Sequence, residues 1–413
     1  MRTVRIWAQL LGIERAIIED VEFEAETQAL VVSVRPRKKA KQRCGICGRR
    51  CALYDRGGGR RRWRVLDLGV VCCYLEAESP RVSCPEHGVV VAQVPWARHG
   101  AGHSYAFDDM VAWLATHTSK SAVCQLMRVT WRTVGRIVTR VVESAKEQRD
   151  PFDGLRRIGI DEISYKRGHR YLTIVVDHDS GRLVWAAPGR DQKTLQRFFT
   201  QLGPERCAQI TEVSADAAEW IAKVVASACP QAALCLDPFH VVSWATGALD
   251  EVRREVWNAA RRKGQQAQAQ DLKGARFALW KNPEDLTQRQ RAALANIERT
   301  NRPLYRAYLL KEQLRQVFHL PADEAMALLE RWLIWARRCR IPAFVELSKT
   351  ITRHRTGIRA ALSHGLSNGR VESVNTKIRL LTRMAFGFRS PEALIALALL
   401  NLGGFCPPLP GRA

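Results

Sequence analysis

Arg157-Ile158-Gly159-Ile160-Asp161 is the stretch from which the fold of this chain is predicted. Its two isoleucines alternate with other residues and an acid ends the run, a pattern typical of a β-strand. The segments after it predict further elements in the order β-β-β-α-β-α-β. After the first strand these are strands at 171–176 and 183–187, a helix capped by Asp191, a strand at 210–216, a helix at 217–228 and a strand at 232–237.

Three acids lie at the ends or starts of these elements. Asp161 ends the first strand, Asp216 ends the fourth, and Glu372 opens a later helix. In open α/β sheets, ligands gather beyond the carboxyl ends of the strands. A single acid at a strand end is more often a turn or capping residue, but three acids in this frame favour a Mg²⁺ site, because carboxylates and phosphate oxygens are ligands of that ion.

The chain is strongly basic, with 65 Lys and Arg against 41 Asp and Glu and a formal net charge of +24. This excess favours a polyanionic partner, most simply nucleic acid, over a basic peripheral membrane protein. We see neither an apolar run long enough for a transmembrane helix nor the apolar core of a signal peptide. We therefore expect a protein of the reducing cytoplasm, whose 12 cysteines are thiols or metal ligands.

Two pairs of metal-ligand residues, Cys44-x-x-Cys47 and Cys84-x-x-His87, predict a zinc site. A two-residue gap lets both side chains of a pair reach one ion, and two pairs supply the four ligands of tetrahedral zinc. The 36 residues between the pairs exceed the usual gap of a zinc ribbon, so we expect strands between them. Cys51 is a spare candidate for a zinc ligand. The alternative to a zinc site is that these cysteines are ordinary thiols and His87 is a surface histidine.

Residues 1–34 predict a β-hairpin, and residues 119–143 predict a helix-turn-helix whose second helix begins at Trp131. That second helix can enter the major groove of DNA, and a helical hairpin with a solvated basic face is the alternative. The residues expected to contact DNA there are Arg132, Thr133, Arg136 and Arg140. Phosphate contacts or a minor-groove arm are expected from Arg60, Arg61, Arg62 and Arg64.

Residues 245–362 show no strand pattern and predict an all-helical insertion between Asp216 and Glu372. A connection of that length must carry its own structure. Its tryptophans, Trp257, Trp280, Trp332 and Trp335, are expected to pack the helical core rather than to stack on DNA bases.

Four sequence blocks resemble the DDE-type transposases of bacterial insertion sequences, and the ISL-three family most closely. The blocks are Gly-Ile-Asp161-Glu, Val-Ser-Ala-Asp216, Leu-Asp237-Pro-Phe-His240-Val-Val and Asn368-Gly-Arg-Val-Glu372-Ser-Val-Asn375. Proteins of that family also begin with a zinc domain and a helix-turn-helix, as residues 44–87 and 119–143 do here. The resemblance covers almost the whole chain.

The resemblance implies an RNase H-like catalytic domain that uses Mg²⁺ or Mn²⁺. It also implies binding to the terminal inverted repeats of the chain's own element, cleavage at the element ends and strand transfer into target DNA. A homodimer or higher oligomer on DNA is expected by analogy, in the bacterial cytoplasm with the nucleoid.

Asp161, Asp216 and Glu372 are expected to be the metal ligands. Asp237 is the competing candidate for the second acid; otherwise Asp237 and His240 hold the ligands or contact the scissile DNA. Glu162 is expected to point to the opposite face of its strand. Further DNA contacts on the Glu372 helix are expected from Asn368, Asn375 and Arg379.

We therefore expect a multidomain α+β protein: a zinc-binding β domain, a helix-turn-helix, and an RNase H-like α/β catalytic domain interrupted by a helical insertion. The predicted segments are 1–100 (zinc), 101–150 (helix-turn-helix), 151–244 and 365–413 (catalytic), and 245–364 (insertion). Two other functions stay open, a catalytically inactive or domesticated DNA-binding regulator and a metal nuclease of RNase H type.

Overall fold

A computed structural model describes residues 2–13 and 15–412, with side chains for residues 6–13 and 15–412. The chain forms two compact units: Met1–Pro151 with Leu380–Ala413, and Phe152–Arg379. The predicted boundary at residue 150 falls next to the division between the units, and the predicted segment 365–413 contributes to both. The finer division into five segments stays a prediction.

The helices and strands follow one another along the chain in this order. Up to residue 151 they are α1 (Arg2–Leu10), β1 (Ala16–Glu24), β2 (Ala29–Pro36), β3 (Ala52–Asp55), β4 (Arg60–Leu68), β5 (Val71–Glu78), β6 (Arg81–Cys84), β7 (Gly88–Val91), α2 (Tyr105–His117), α3 (Lys120–Met127) and α4 (Trp131–Gln148). From residue 152 they are β8 (Arg157–Lys166), β9 (Arg170–Asp177), β10 (Leu183–Pro188), α5 (Gln192–Leu202), α6 (Pro204–Cys207), β11 (Glu212–Ala215), α7 (Glu219–Ala228), β12 (Ala233–Leu236), α8 (Pro238–Arg262), α9 (Gln266–Gly274), α10 (Arg276–Trp280), α11 (Gln288–Thr300), α12 (Arg302–Val317), α13 (Ala322–Arg338), α14 (Pro342–Arg353), α15 (Arg355–His364), α16 (Gly369–Met384) and α17 (Pro391–Leu402). Short 3₁₀ helices lie at Lys38–Ala40 and Pro283–Asp285.

The first unit begins with helix α1, which the sequence did not predict, and continues with two antiparallel strands, β1 and β2, which confirm the predicted hairpin. These strands belong to a four-stranded sheet in the order β1-β2-β5-β4, and a separate three-stranded sheet has the order β3-β6-β7. Side chains along each strand point alternately to the two faces of the sheet. One of these faces of the larger sheet is apolar. Trp63 of β4 is buried there and meets Trp96 edge to face, with 5.6 Å between ring centroids.

Helices α2, α3 and α4 form a three-helix segment, and the predicted helix-turn-helix is confirmed in position. Ser119 caps α3 by accepting a hydrogen bond from the Ala122 amide, and Thr130 caps α4 by accepting one from Thr133. Between them, Arg128 adopts a left-handed conformation with φ of 53°, which turns the chain sharply. The last helix of the chain, α17, packs on α2 and α4.

The second unit contains a five-stranded sheet in the order β10-β9-β8-β11-β12. Strand β9 runs antiparallel to β8 and β10, whereas β11 runs parallel to both β8 and β12. This confirms the predicted order of elements, with the short helix α6 added before β11. Because β8, β11 and β12 are parallel neighbours, their carboxyl ends meet at one edge of the sheet.

Two apolar clusters stabilise the second unit. One joins the sheet to α5 and α7 and includes Ile158 and Ile160, both fully buried. The other is formed by the helices from α8 to α15. Trp332 is fully buried in it and donates its indole N–H to the Leu310 carbonyl at 2.8 Å. Trp257, Trp280 and Trp335 pack against the same cluster, which confirms the packing interpretation of these tryptophans.

Within residues 2–13 and 15–412, none of the helices has both the length and the apolar composition needed to span a membrane.

Candidate active site and metal centre

Four side chains of the first unit converge at the end of β6. Cys84 is the last residue of that strand, His87 directly precedes β7, and Cys44 and Cys47 lie ahead of β3. His87 Nδ1 lies 3.8 Å from Cys44 Sγ and 3.6 Å from Cys84 Sγ, and the Cys47 and Cys84 sulfurs are 3.8 Å apart. Cys and His ligands arranged tetrahedrally around zinc are separated by about 3.6–3.8 Å. The spacing of the four side chains therefore fits a zinc ion.

Strands β3 to β6 occupy the long gap between the two ligand pairs, as the sequence predicted. Cys51, the spare candidate, is outside the group of four, and its thiol donates to the Arg49 carbonyl at 3.4 Å. The structure therefore brings together the four residues predicted from the spacing.

In the second unit, acids cluster at the carboxyl ends of the parallel strands. Asp161 lies within β8, which continues to Lys166, so it does not end the strand as the sequence predicted. Asp216 and Asp237 directly follow β11 and β12. One oxygen each of Asp161, Glu162 and Asp216 lies within 4.8 Å of the other two. Asp216, Asp237 and His240 form a second group with the same spacing. Asp216 belongs to both groups and therefore lies between Asp161 and the Asp237–His240 pair.

Glu162 is a member of the acid cluster, although its place in the strand predicted that it points to the opposite face. Strand β11 pairs with β8 only as far as Ser214 and Gly159, so the edge of β8 beyond Gly159 is open. One Glu162 oxygen nevertheless lies within 4.8 Å of oxygens of Asp161 and Asp216. Its side chain is 6% exposed, with Oε2 at 3.3 Å from the Arg190 Nε.

His240 holds two carboxylates together. Its Nδ1 hydrogen-bonds to Asp237 Oδ2 at 3.0 Å, and Asp216 Oδ1 lies 2.9 Å from the same nitrogen. The interactions with Asp216 and then Asp237 raise the pKa of His240 to about 10. The imidazole is therefore protonated at neutral pH, and its positive charge lies between the two carboxyl groups.

Burial, together with the nearby Asp216 carboxylate, raises the pKa of Asp161 and that of Glu162 to about 6. Glu162 Oε1 is buried and has no hydrogen-bond partner, whereas Asp216 Oδ1 is held by its ion pair with His240. Closely spaced carboxylates match the oxygen ligands that Mg²⁺ and Mn²⁺ prefer. The residues at this edge of the sheet therefore fit a divalent cation.

Asn368 and Asn375, predicted to contact DNA, are instead buried, each 2% exposed. Asn375 donates from Nδ2 to Asp161 Oδ2 at 2.6 Å. The Asn368 backbone N–H donates to Asp237 Oδ1 at 3.2 Å, and its side-chain oxygen accepts from the Ser214 hydroxyl. A buried amide group needs such partners. These two residues therefore fasten the start of α16 to the strand ends and are not available to DNA, which corrects the expectation.

Glu372 lies in the first turn of α16, one turn before Asn375, and is exposed. Among the described residues it belongs to neither group of closely spaced ligand atoms. Arg379, further along the same helix, is also exposed. The structure thus places the third predicted acid on the helix that is bound to Asp161, but not inside the acid cluster itself.

The close approach of α16 to the sheet requires a glycine at position 159. A Cβ atom there would lie 2.3 Å from Val371 Cγ2 and 2.8 Å from His178 Nε2. Val371 is fully buried, and His178 is fixed because Nε2 lies 2.7 Å from the Ser214 hydroxyl. Burial, followed by the charge of Arg157, lowers the pKa of His178 to about 4, so the ring is neutral at neutral pH.

We expect Gly159→Ala to destabilise the second unit by about 1–3 kcal/mol, because the added methyl group overpacks the contact with Val371. Urea unfolding of the full chain measures this effect. Gly247→Ala is the matched control: Gly247 is exposed within α8, and an added Cβ there meets nothing within 4 Å. The control is expected to gain about 0.5–1 kcal/mol from helix propensity. A Gly159→Ala protein as stable as the wild type would contradict the packing described here.

The second helix of the helix-turn-helix, α4, presents part of its predicted basic surface. Arg132 and Arg136 are exposed, and Thr133 is half-buried. Arg140 is different: it binds the fully buried Asp108 of α2 through two hydrogen bonds of 2.9 and 2.8 Å. Arg140 therefore pairs two helices of the bundle and is not free to contact DNA, unlike the sequence expectation.

The predicted arginine arm is part of strand β4, in which every arginine has a partner within the first unit. The partners are Glu76 for Arg60, Glu24 and Glu76 for Arg62, the Ala101 carbonyl for Arg61, and Asp67 for Arg64. Cross-strand pairs of this kind stabilise a sheet. The run is therefore neither a loop nor a flexible arm.

Comparison with known families matches three parts of the chain. Residues 158–398 match a family of the DDE ISL3 type described as a transposase. Residues 92–142 match the helix-turn-helix domain of transposase family ISL3, and residues 40–87 match the zinc-finger of transposases IS204, IS1001, IS1096 and IS1165. The chain belongs to the ISL3 family of transposases, DNA-binding enzymes that cut and transfer DNA.

Individual relatives agree with this assignment. The chain is 61% identical to the transposase for insertion sequence element IS1557 of Mycobacterium tuberculosis, in strains CDC 1551 and H37Rv. That similarity runs over 436 residues and covers 100% of this chain and 98% of the relative. The transposase for element IS1001 of Bordetella parapertussis is 26% identical over 91% of this chain and 92% of its own length. The family match also indicates a structural metal in the zinc-finger region and divalent-metal chemistry at the acids.

Proposed function

We propose that this chain binds the terminal inverted repeats of its own insertion sequence, cuts DNA at the element ends and transfers the cut strands into target DNA. One observation carries the proposal. Asp161, Glu162 and Asp216 bring carboxylate oxygens within 4.8 Å of one another, in a region that matches the transposase family. A DNA-binding regulator without catalytic activity has no use for a group of closely spaced, partly buried acids.

The catalytic part is RNase H-like in this proposal. The strand order β10-β9-β8-β11-β12 supports it. Strands β8, β9 and β10 are antiparallel neighbours, and β11 and β12 run parallel to β8. In this arrangement β11 lies beside β8, so the acid after β11 meets the acid on β8. The helices from α8 to α15 then form the insertion that separates Asp216 from Glu372.

Asp161, Asp216 and Glu372 are the proposed ligands of two divalent ions, Mg²⁺ or Mn²⁺. Asp216 is favoured over Asp237 as the second acid because it shares a group with Asp161, whereas Asp237 is bonded to His240 and to the Asn368 backbone. Ions held by these residues would supply activation of an attacking water or 3′-hydroxyl and stabilisation of the leaving oxygen. In the zinc-finger region, Cys44, Cys47, Cys84 and His87 are the proposed zinc ligands.

The remaining side chains of the site orient these ligands. His240 holds Asp216 against Asp237, and Asn375 fixes one oxygen of Asp161. Glu372 is exposed one turn before Asn375, where it is open to approach by DNA. We propose that Glu372 joins the ligand set when DNA is bound at the acid cluster.

Recognition of the inverted repeats is assigned to α4. Arg132 and Arg136 are exposed there, and arginine reads guanine edges in the major groove and also neutralises phosphates. Thr133 lies between them, and Arg379 on α16 is a further exposed candidate. Because transposition brings two element ends together, we propose a homodimer or higher oligomer on DNA, acting on the bacterial chromosome in the cytoplasm.

The full-length protein tests the proposal. Inverted repeats are sought at the ends of the element that carries the gene, and duplexes with those repeats are incubated with the protein and Mg²⁺. We expect strand breaks at the repeat ends, followed by joining to a second duplex, and no reaction with EDTA. Tight binding to the repeats without any cleavage would instead favour the alternative, a catalytically inactive or domesticated DNA-binding regulator.

A further inference from the structure

An open cleft adjoins the acid cluster, and its lining residue Arg190 contacts Glu162 of that cluster. It has a volume of about 530 Å³ and lies between the β8–β9 turn and the end of β10. Its lining residues are Tyr165, His169, Arg170, Tyr171, Gly189 and Arg190. The cleft is therefore lined by arginines and aromatic rings, a combination used to hold nucleic-acid strands.

The turn that borders this cleft carries further positive charge. Lys166, Arg167 and Arg170 follow one another around it, and all three are exposed. The turn is tight because Gly168 and His169 both adopt positive φ angles, 85° and 57°. The basic side chains are consequently presented from a short, well-defined hairpin rather than from a long loop.

Arg190 connects the cleft to the acid cluster. Its guanidinium group lies over the Tyr171 ring, 5.0 Å from the ring centroid, and its Nε lies 3.3 Å from Glu162 Oε2. Glu162 in turn shares the group of closely spaced oxygens with Asp161 and Asp216. A phosphate held at Arg190 would therefore lie close to a phosphate placed at the acids.

We propose that this cleft binds the sugar-phosphate backbone of the DNA strand that runs past the acid cluster. Arg167, Arg170 and Arg190 neutralise its phosphates, and Tyr165 provides a ring on which an unpaired base stacks. The inference rests on the proposed function, because it assigns the path of the DNA at the same site. The strand belongs either to the element end or to the target, since both carry the same backbone chemistry.

A crosslinking experiment separates this inference from the proposed function. His169 is replaced by the photoreactive residue p-benzoylphenylalanine in a full-length Asp161→Asn background, so that DNA contact is read without any need for cleavage. Two duplexes are offered, one with an inverted-repeat end and one target duplex, each labelled differently. Crosslinking to either labelled duplex supports the cleft, and the label identifies the strand that it holds. The control carries the same photoreactive residue at Arg197, an exposed position of α5.

Double replacement of Arg167 and Arg170 by alanine gives the second readout. We expect its affinity for target or end DNA to fall about tenfold or more and its log–log salt slope to decrease by about 1.8, since each phosphate contact contributes about 0.9. Arg197→Ala is expected to change the salt slope by no more than about 0.9. The inference is overturned if His169 crosslinks no more than Arg197 and if the double variant binds both duplexes like the wild type.

Discussion

Asp161→Asn is expected to slow strand cleavage in Mg²⁺ by about 10³-fold or more, roughly 4 kcal/mol of lost transition-state stabilisation. The side chain keeps its shape but loses the charge that binds a cation. Asn375, which donates to Asp161 Oδ2 at 2.6 Å, keeps an oxygen to bond in the variant. Because the fold is preserved, single-turnover cleavage of a labelled repeat-end duplex measures the chemical step directly.

The matched control is Glu205→Gln, which removes the charge of an exposed acid of α6. Helix α6 precedes the amino end of β11, whereas the site lies at the carboxyl ends of the strands. We expect cleavage by this control to stay within about twofold of the wild type, as surface changes generally leave structure and function intact. Both variants are expected to bind the repeat duplex as the wild type does. Cleavage at an undiminished rate by the Asp161→Asn protein would refute the catalytic assignment.

Removal of the metal from the zinc-finger region is expected to unfold that region outright. Binding of zinc to sites of this kind contributes about 10 kcal/mol or more, far beyond what so small a segment gains from its own core. With a strong chelator, or in a Cys84→Ala protein, proteases should cut within residues 40–91, and binding to the repeats should weaken. Zinc content by mass spectrometry is expected to fall from about one ion per chain to none.

Cys51→Ser is the control for this experiment, because Cys51 belongs to the same segment but lies outside the group of four ligands. Its zinc content and protease resistance are expected to match the wild type. Loss of zinc from the Cys51→Ser protein, together with its retention in Cys84→Ala, would show that the ligand set has been misread.

The sheet of the second unit was predictable because its strands and helices have distinct sequence periods. Ile158 and Ile160 alternate as strand residues do, and the acids at positions 161 and 216 belong to or directly follow strands that prove to be parallel neighbours, although β8 continues past Asp161 to Lys166. The positions of these acids relative to the predicted strands were therefore enough to predict that they lie close together, without knowledge of the tertiary structure. The spacing of Cys44, Cys47, Cys84 and His87 identified the group of four for a similar reason, since each pair is local in sequence.

Contacts between distant residues were not predictable. Glu162 joins Asp161 and Asp216, although the alternation of side chains along a strand predicts opposite faces for neighbours such as Asp161 and Glu162. Arg140 is held by Asp108, and Asn375 by Asp161, through partners far away in the chain. Arg140 and Asn375 were both expected to contact DNA, because a helical pattern shows only which face of the helix a side chain occupies. Whether a polar face meets solvent or a buried acid depends on tertiary packing.

The central claim is that acids from separate strands hold divalent cations next to bound DNA. The most direct test counts Mn²⁺ ions by electron paramagnetic resonance on the full-length protein bound to a repeat-end duplex. We predict about two tightly bound ions in the wild type and a loss of tight binding in both Asp161→Asn and Asp216→Asn. Equal Mn²⁺ binding by the wild type and by both variants would contradict the claim.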